Sequence, residues 1–270
     1  MKTIIVATDF SDAALNAANY GADMALAIHA NLVLVHILQI QVAAYLEVPL
    51  TAEEDQTRID ALKEQLIKRT GGNLTIESRL TTGVFFYELK KICEEIKPYA
   101  VVMGSQGTTA AERVFFGGHT VYAMKHLMWP LITIPPHAAF SQIKKVCLAC
   151  DFTEVIDSTP VEEIKQLVND FHAELHVINS GKEESYQPDT VFESGMLQEL
   201  LAPLKPQYHL ITGENTDEGI ISFVEKNHID LLITLPKKHG LLEKLAHKSI
   251  SKQFVLHSHI PVMAMHPADN

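Results

Sequence analysis

Two short stretches of this chain carry residue types suited to holding a phosphorylated small molecule. The first is Ala7-Thr8-Asp9-Phe10-Ser11-Asp12, where a carboxylate follows an apolar run. A carboxylate accepts hydrogen bonds from hydroxyl or amine groups and repels phosphate. The second is Met103-Gly104-Ser105-Gln106-Gly107, running on to Phe116-Gly117-Gly118-His119-Thr120. Its glycines are spaced Gly104-x-x-Gly107-x9-Gly117. Glycine takes positive φ at no steric cost and lets the main chain come close to a ligand. Gly117 to Thr120 lead into a helical run from Val121 to Leu127. The free N–H groups and positive dipole end of such a run suit an anion, and the Thr120 hydroxyl adds a donor. Glycines after a strand are also ordinary turn formers, so the spacing gains weight only from the elements that position it.

Those elements can be read from hydrophobic period. Near-continuous apolar runs occur at Ile4–Ala7, Leu32–Ile37, Thr75–Leu80, Val101–Gly104 and Leu131–Ile134, as expected of strands buried on both faces. Helical patterns lie between them. Ser11 or Asp12 can cap a helix through Ala13, Leu15, Ala18, Ala22 and Leu26. Asp55 to Lys68 places Ile59, Leu62, Leu66 and Ile67 on one face. Val84 to Ile96 stops at Lys97-Pro98, and Ala110 to Met128 stops before Trp129-Pro130. Strands alternating with helices predict a doubly wound parallel α/β sheet with right-handed crossovers. In such a sheet ligands bind at the carboxyl ends of strands, where Asp9 and the glycine segment both fall.

The pattern occurs twice. Val6-Ala7-Thr8-Asp9-Phe10-Ser11-Asp12 returns as Leu148-Ala149-Cys150-Asp151-Phe152-Thr153-Glu154 at an offset of 142 residues. Asn31–His36 matches Glu174–Asn179, Ala100–Met103 matches Asp230–Ile233, and Trp129–Ile134 matches Ile260–Met265. A repeat of this length is a domain duplication. The halves are 1–137 and 143–270, joined by a linker from about Pro135 to Lys144. A 270-residue chain with 47% hydrophobic residues can fill two cores. A formal net charge of −11 argues against sequence-independent nucleic-acid binding. No apolar run is long enough for a signal sequence or a membrane span, so a soluble cytoplasmic protein is expected.

With these motifs in place the chain resembles the universal stress protein family in its tandem form. Nucleotide-binding members carry Gly-x-x-Gly-x9-Gly and then Ser or Thr after strand 4, and Met103–Thr108 with Phe115–Val121 matches this without gaps. The resemblance implies strand order 3-2-1-4-5 in each half. It also implies an internal pseudo-dimer in which the two strand-5 segments meet about a pseudo-twofold axis, with homodimers and regulatory protein partners as further assemblies. It implies an adenine-nucleotide site for ATP or AMP, with or without Mg2+, in the first half. Asp9, at the strand-1 end with the binding residues Ala7 and Thr8, would meet ribose or adenine, with Val35 at the strand-2 end flanking adenine. Gly104, Gly107, Gly117 and the N–H groups of Gly118, His119 and Thr120 would hold the phosphates, with Met103 and Gln106 as further nucleotide-binding residues. Ala7 stands where Pro is usual, and Gly118 where Ser or Thr is usual, which removes one hydroxyl. No group stands ready to activate water, so the expectation is a stress-response module that senses or holds nucleotide with at most slow hydrolysis. The rival is a member that binds no nucleotide and acts by protein contacts. An enzyme of the related adenine-nucleotide α-hydrolase group would need a further catalytic domain.

In the second half Gly104 aligns with Thr234, Gly107 with Lys237 or Lys238, and Gly117 with His247 or Lys248. The glycine cradle is gone, so no nucleotide is expected there. His247-Lys248-Ser249 reads as a solvated basic turn. His257, His259 and His266 lack a companion ligand at metal spacing. Cys147-x-x-Cys150 lies in an apolar strand, not at the exposed helix start a redox pair needs. Asp9 and Asp12 resemble a receiver's acidic pocket, but Pro135-Pro136 occupies the position of its required lysine.

Overall fold

The structure is a computed structural model. It describes residues 1–38, 49–105, 119–150, 152, 155–179, 188–211, 216–236 and 258–267. The chain divides into two compact units, Met1–Phe140 and Ser141–Asn270.

The first unit is β1 (Thr3–Ala7), α1 (Asp12–Ala27), β2 (Asn31–Leu38), α2 (Pro49–Arg69), β3 (Ile76–Thr82), α3 (Phe85–Ile96), β4 (Ala100–Gly104), helix α4 over residues 119–126, and β5 (Leu131–Ile134). The strands are parallel in the order β3-β2-β1-β4-β5. The predicted doubly wound sheet and its strand order are therefore present. Strand order reverses between β1 and β4, so their carboxyl ends diverge onto helices of opposite faces and leave a crevice.

Local chemistry explains the elements around that crevice. Ser11 caps α1, its hydroxyl accepting from Ala14 N at 3.2 Å. One side of α1 is built from small residues. Ala13, Ala14, Ala17, Ala18, Ala22 and Ala25 are buried. A Cβ on Gly21 would fall 2.7 Å from Val6 Cγ2, and one on Gly104 would fall 2.9 Å from the main chain of Ala13. Small residues let this helix lie unusually close to β1 and β4, which brings its first turn to the mouth of the crevice. α3 ends where Lys97 takes a left-handed conformation before Pro98.

The second unit is β6 (Lys145–Ala149), α5 (Val155–Ser158), α6 (Val161–Phe171), β7 (Glu174–Asn179), α7 (Pro188–Leu201), a 3-10 turn (Ala202–Leu204), β8 (Gln207–Leu210), α8 (Thr216–Lys226), β9 (Leu231–Thr234) and β10 (Val262–Ala264). Its strands are again parallel, in the order β8-β7-β6-β9-β10. That is the same 3-2-1-4-5 arrangement. The helix that follows its first strand is broken where α1 is continuous. Pro160 lacks an N–H and sits between α5 and α6.

Register corrects one alignment. β1 pairs Val6 with Val102, while β6 pairs Leu148 with Ile233 and Ala149 with Thr234. Thr234 is thus the counterpart of Met103, and Leu235 takes the place of Gly104. Both strands are continuously apolar, so a one-residue slip leaves the hydrophobic match intact and composition alone cannot detect it.

Candidate functional site

A cleft lies over the carboxyl ends of β1, β2 and β4, enclosing about 480 Å³ of empty space, open solvent included. Ala7, Thr8, Asp9, Met103 and Gly104 line it, together with Ser11 and the first turn of α1, His36, Ile37 and Phe85. Five of the sequence-predicted site residues therefore meet in one place. Val35 stands beside them, buried, its carbonyl accepting from Thr8 N at 2.9 Å. Gln106, Gly107, Gly117 and Gly118 lie outside the described residues.

Thr8 to Ser11 form a tight, internally bonded turn. Thr8 Oγ1 accepts from Phe10 N at 3.0 Å, and Phe10 takes φ 66°, an uncommon conformation for a bulky residue. Asp9 Oδ1 accepts from both Ser11 N, at 3.1 Å, and Ser11 Oγ, at 2.8 Å. Ser11 is itself bonded to the first turn of α1. The carboxylate is thereby fixed in direction beside the N-terminus of α1. Its second oxygen makes no hydrogen bond among the described residues and stays available to a donor in the cleft.

A second group of side chains braces this turn, and sequence reasoning did not assemble it. His36 Nδ1 lies 2.7 Å from Thr8 O, and Nε2 lies 3.3 Å from Asp55 Oδ2. Asp55 Oδ1 accepts from Arg58 Nη1 at 3.1 Å. The Arg58 guanidinium lies 4.2 Å from the centre of the Phe10 ring, and that ring packs on His36 at 4.5 Å. The four side chains close a loop tying α2 to the turn that carries Asp9. Asp55 and Arg58 lie three apart on α2 and form an ion pair there.

The glycine segment's described ends have partners within the protein. Thr120 is fully buried, and its hydroxyl donates to Gly104 O at 3.2 Å. The predicted hydroxyl donor is thus already engaged with the strand-4 end. His119 packs on Phe85, ring centres 5.0 Å apart. Burial lowers its pKa.

In the second unit the described residues Cys150 and Phe152 repeat part of this pattern with a thiol in place of the Thr8 hydroxyl. Cys150 N donates to Ile178 O at 3.0 Å, Phe152 N donates to Cys150 Sγ at 3.4 Å, and Phe152 takes φ 54°. These mirror Thr8, Val35 and Phe10. Asn179 stands in place of His36. Asp151 and the basic segment with Lys237, Lys238, His247 and Lys248 lie outside the described residues. Cys147 is buried, and burial pushes its thiol pKa far up, opposite to a redox nucleophile. His259 is exposed and His266 buried. Among the described residues no group of three or more His, Cys, Asp or Glu is placed to hold a metal, and no helix is long and apolar enough to cross a membrane.

Comparison with known proteins agrees with this architecture. The model of the universal stress protein family matches twice, over residues 1–135 and 142–266. Universal stress protein MJ0531 of Methanocaldococcus jannaschii is 25% identical over 143 residues, 49% of this chain and 81% of that protein. A universal stress protein from Archaeoglobus fulgidus superposes with a TM-score of 0.74 at 14% identity, covering 98% of both chains. A functionally unknown protein, PA1789, from Pseudomonas aeruginosa superposes with a TM-score of 0.62 at 12% identity, covering 99% of this chain and 93% of that one. Together with the internal repeat, these matches show that the chain belongs to the universal stress protein family and carries two of its domains in tandem.

Proposed function

We propose that the first unit holds an adenine nucleotide, ATP in the first instance, and that the second unit does not. The observation that carries this reading is Asp9. Its carboxylate is aimed by two bonds from Ser11, keeps one oxygen free, and faces a cleft whose far wall, Met103-Gly104, runs straight into the glycine-spaced segment. A fixed carboxylate suits ribose hydroxyls or the adenine amine. Main-chain N–H groups from Gly107 and Gly117 to Thr120 suit the phosphates. Mg2+ would ride on the phosphates, for the cleft offers Asp9 as its lone carboxylate among the described residues. The cleft's other ionisable group, His36, is bound on both ring nitrogens. This favours retention of nucleotide over turnover, and with it a sensing or storage role in stress response, inside the cytoplasm.

A second reading has specific support. Gly104 is required by the close approach of Ala13, and the Thr120 hydroxyl is spent on Gly104 O. Both therefore have reasons to be present without any ligand, as in a member that acts through protein contacts. Isothermal titration of the full chain with ATP and Mg2+ separates the two readings. The nucleotide reading expects one site per chain, lost in Asp9→Ala. A folded chain that takes up no ATP or AMP belongs to the second reading, and two equal sites would overturn the asymmetry.

A further inference from the structure

The nucleotide reading leaves unused a pair of histidines in the second unit. His176 lies on β7 and His209 on the edge strand β8. The register pairs His176 with Gln207 and Ile178 with His209, so the two histidines are diagonal neighbours. His176 Nδ1 and His209 Nε2 are 3.1 Å apart, with ring planes 19° from parallel. Two imidazole nitrogens at that distance share one proton, one donating and the other accepting. Phe223 of α8 closes the site, 4.6 Å from the His209 ring and 6.4 Å from the His176 ring.

The surroundings do not welcome a second proton. His176 is buried, and its Nε2 has no hydrogen-bond partner among the described residues. Among the described residues the nearest carboxylate oxygen, Glu174 Oε2 on β7, is 3.9 Å from it on an exposed side chain. β6 contributes the cation of Lys145, whose Nζ is held by the Asn227 carbonyl just past α8 at 3.1 Å. α8 itself contributes the uncharged Phe223. Burial first, then His209 and Lys145, lower the His176 pKa against the weaker pull of Glu174, and burial lowers that of His209. Both rings thus take up protons at lower pH in the fold than in the opened chain, whose histidines titrate at ~6.5. Stability from the pair is complete above that value and is lost as pH falls from it toward the lowered folded values.

We propose that the His176–His209 pair is a proton-sensitive latch, which fastens edge strand β8 and helix α8 to β7 at neutral pH and lets that edge of the second unit open on acidification. Val33 and Arg79 hold the matching register positions of the first unit. Arg79 there pairs with Glu95 at 3.0 Å. The β2–β3 edge therefore lacks the device and serves as an internal control.

Amide hydrogen exchange on the full chain at pH 8 and pH 5, corrected for intrinsic rates, tests the latch. Protection in β8 and α8 should fall by about tenfold for each pKa unit separating opened and closed histidines, while β2–β3 stays level. His209→Gln keeps an N–H donor for His176 Nδ1 and removes one titrating ring, and it should flatten the pH dependence. Equal pH dependence of β8 and β3 in the parent chain would overturn the proposal, even if that variant folds poorly. So would an unchanged response in a folded His209→Gln protein.

Discussion

Asp9 is the residue on which most of the proposed chemistry turns. Asp9→Asn keeps Oδ1 as an acceptor for Ser11 and converts the free oxygen to a donor. It should leave the circular dichroism unchanged and cost about 1.5–3 kcal/mol in ATP affinity by titration calorimetry, the range of a hydrogen bond to a charged group. Gly107→Val and Thr120→Ala separate ligand contact from packing. If the main chain at Gly107 must approach phosphate, a branched side chain there abolishes binding. Thr120→Ala removes a buried hydroxyl that serves Gly104 O, so it should lower stability by about 1 kcal/mol and affect affinity far less. Were Gly107→Val to bind ATP like the parent, the glycines would be turn formers only. Gly104→Ala belongs to a different class. Its Cβ would press on the main chain of Ala13, which cannot move without moving α1. A loss of about 1–3 kcal/mol in urea unfolding is expected with or without ligand.

At the scale of elements, α1 sets the geometry of the cleft. Its alanines and Gly21 let the helix axis lie close to β1 and β4, and its capped first turn delivers Ser11 to Asp9. Gly21→Ala would push against Val6 Cγ2, a branched side chain with little freedom. The expected result is a lower midpoint in thermal unfolding together with weaker ATP binding, because the same displacement moves the cap that aims Asp9. The second unit shows the converse. Pro160 divides the corresponding helix into a short α5 and a longer α6, and Phe152 ahead of them keeps the positive φ of Phe10. Glu193 of α7 supplies the N-terminal partner of α5, accepting from Val155 N at 2.8 Å.

Taken as a whole, the molecule joins two copies of one fold with different fittings. A ligand confined to the first unit stabilises that unit by mass action, about 2.7 kcal/mol at a hundredfold excess over Kd. Scanning calorimetry with ATP should therefore raise the unfolding of the first unit and leave any separate transition of the second in place. A uniform rise of both by the same amount would contradict one-sided occupancy. Acid should act in the opposite sense, loosening the second unit through its histidines.

Local sequence determined the elements, their order and their repetition. Apolar runs of strand length alternate with amphipathic helices, the signals that depend only on neighbours along the chain. The strand order and the nature of the ligand came instead from motif resemblance, and Asp9, Met103 and Gly104, marked out by residue type and strand end, do share one cleft. Tertiary structure decided what spacing cannot encode. It placed Asp55 and Arg58 behind Phe10, joined to Thr8 through His36, because α2 folds back over β2. It gave Gly104 a neighbour in Ala13 and Thr120 a partner in Gly104, contacts that depend on how closely α1 and α4 approach the sheet. It also set the register of β9, where an unbroken apolar run fits equally well one residue out of step, and only the hydrogen bonds to β6 select Thr234 as the counterpart of Met103.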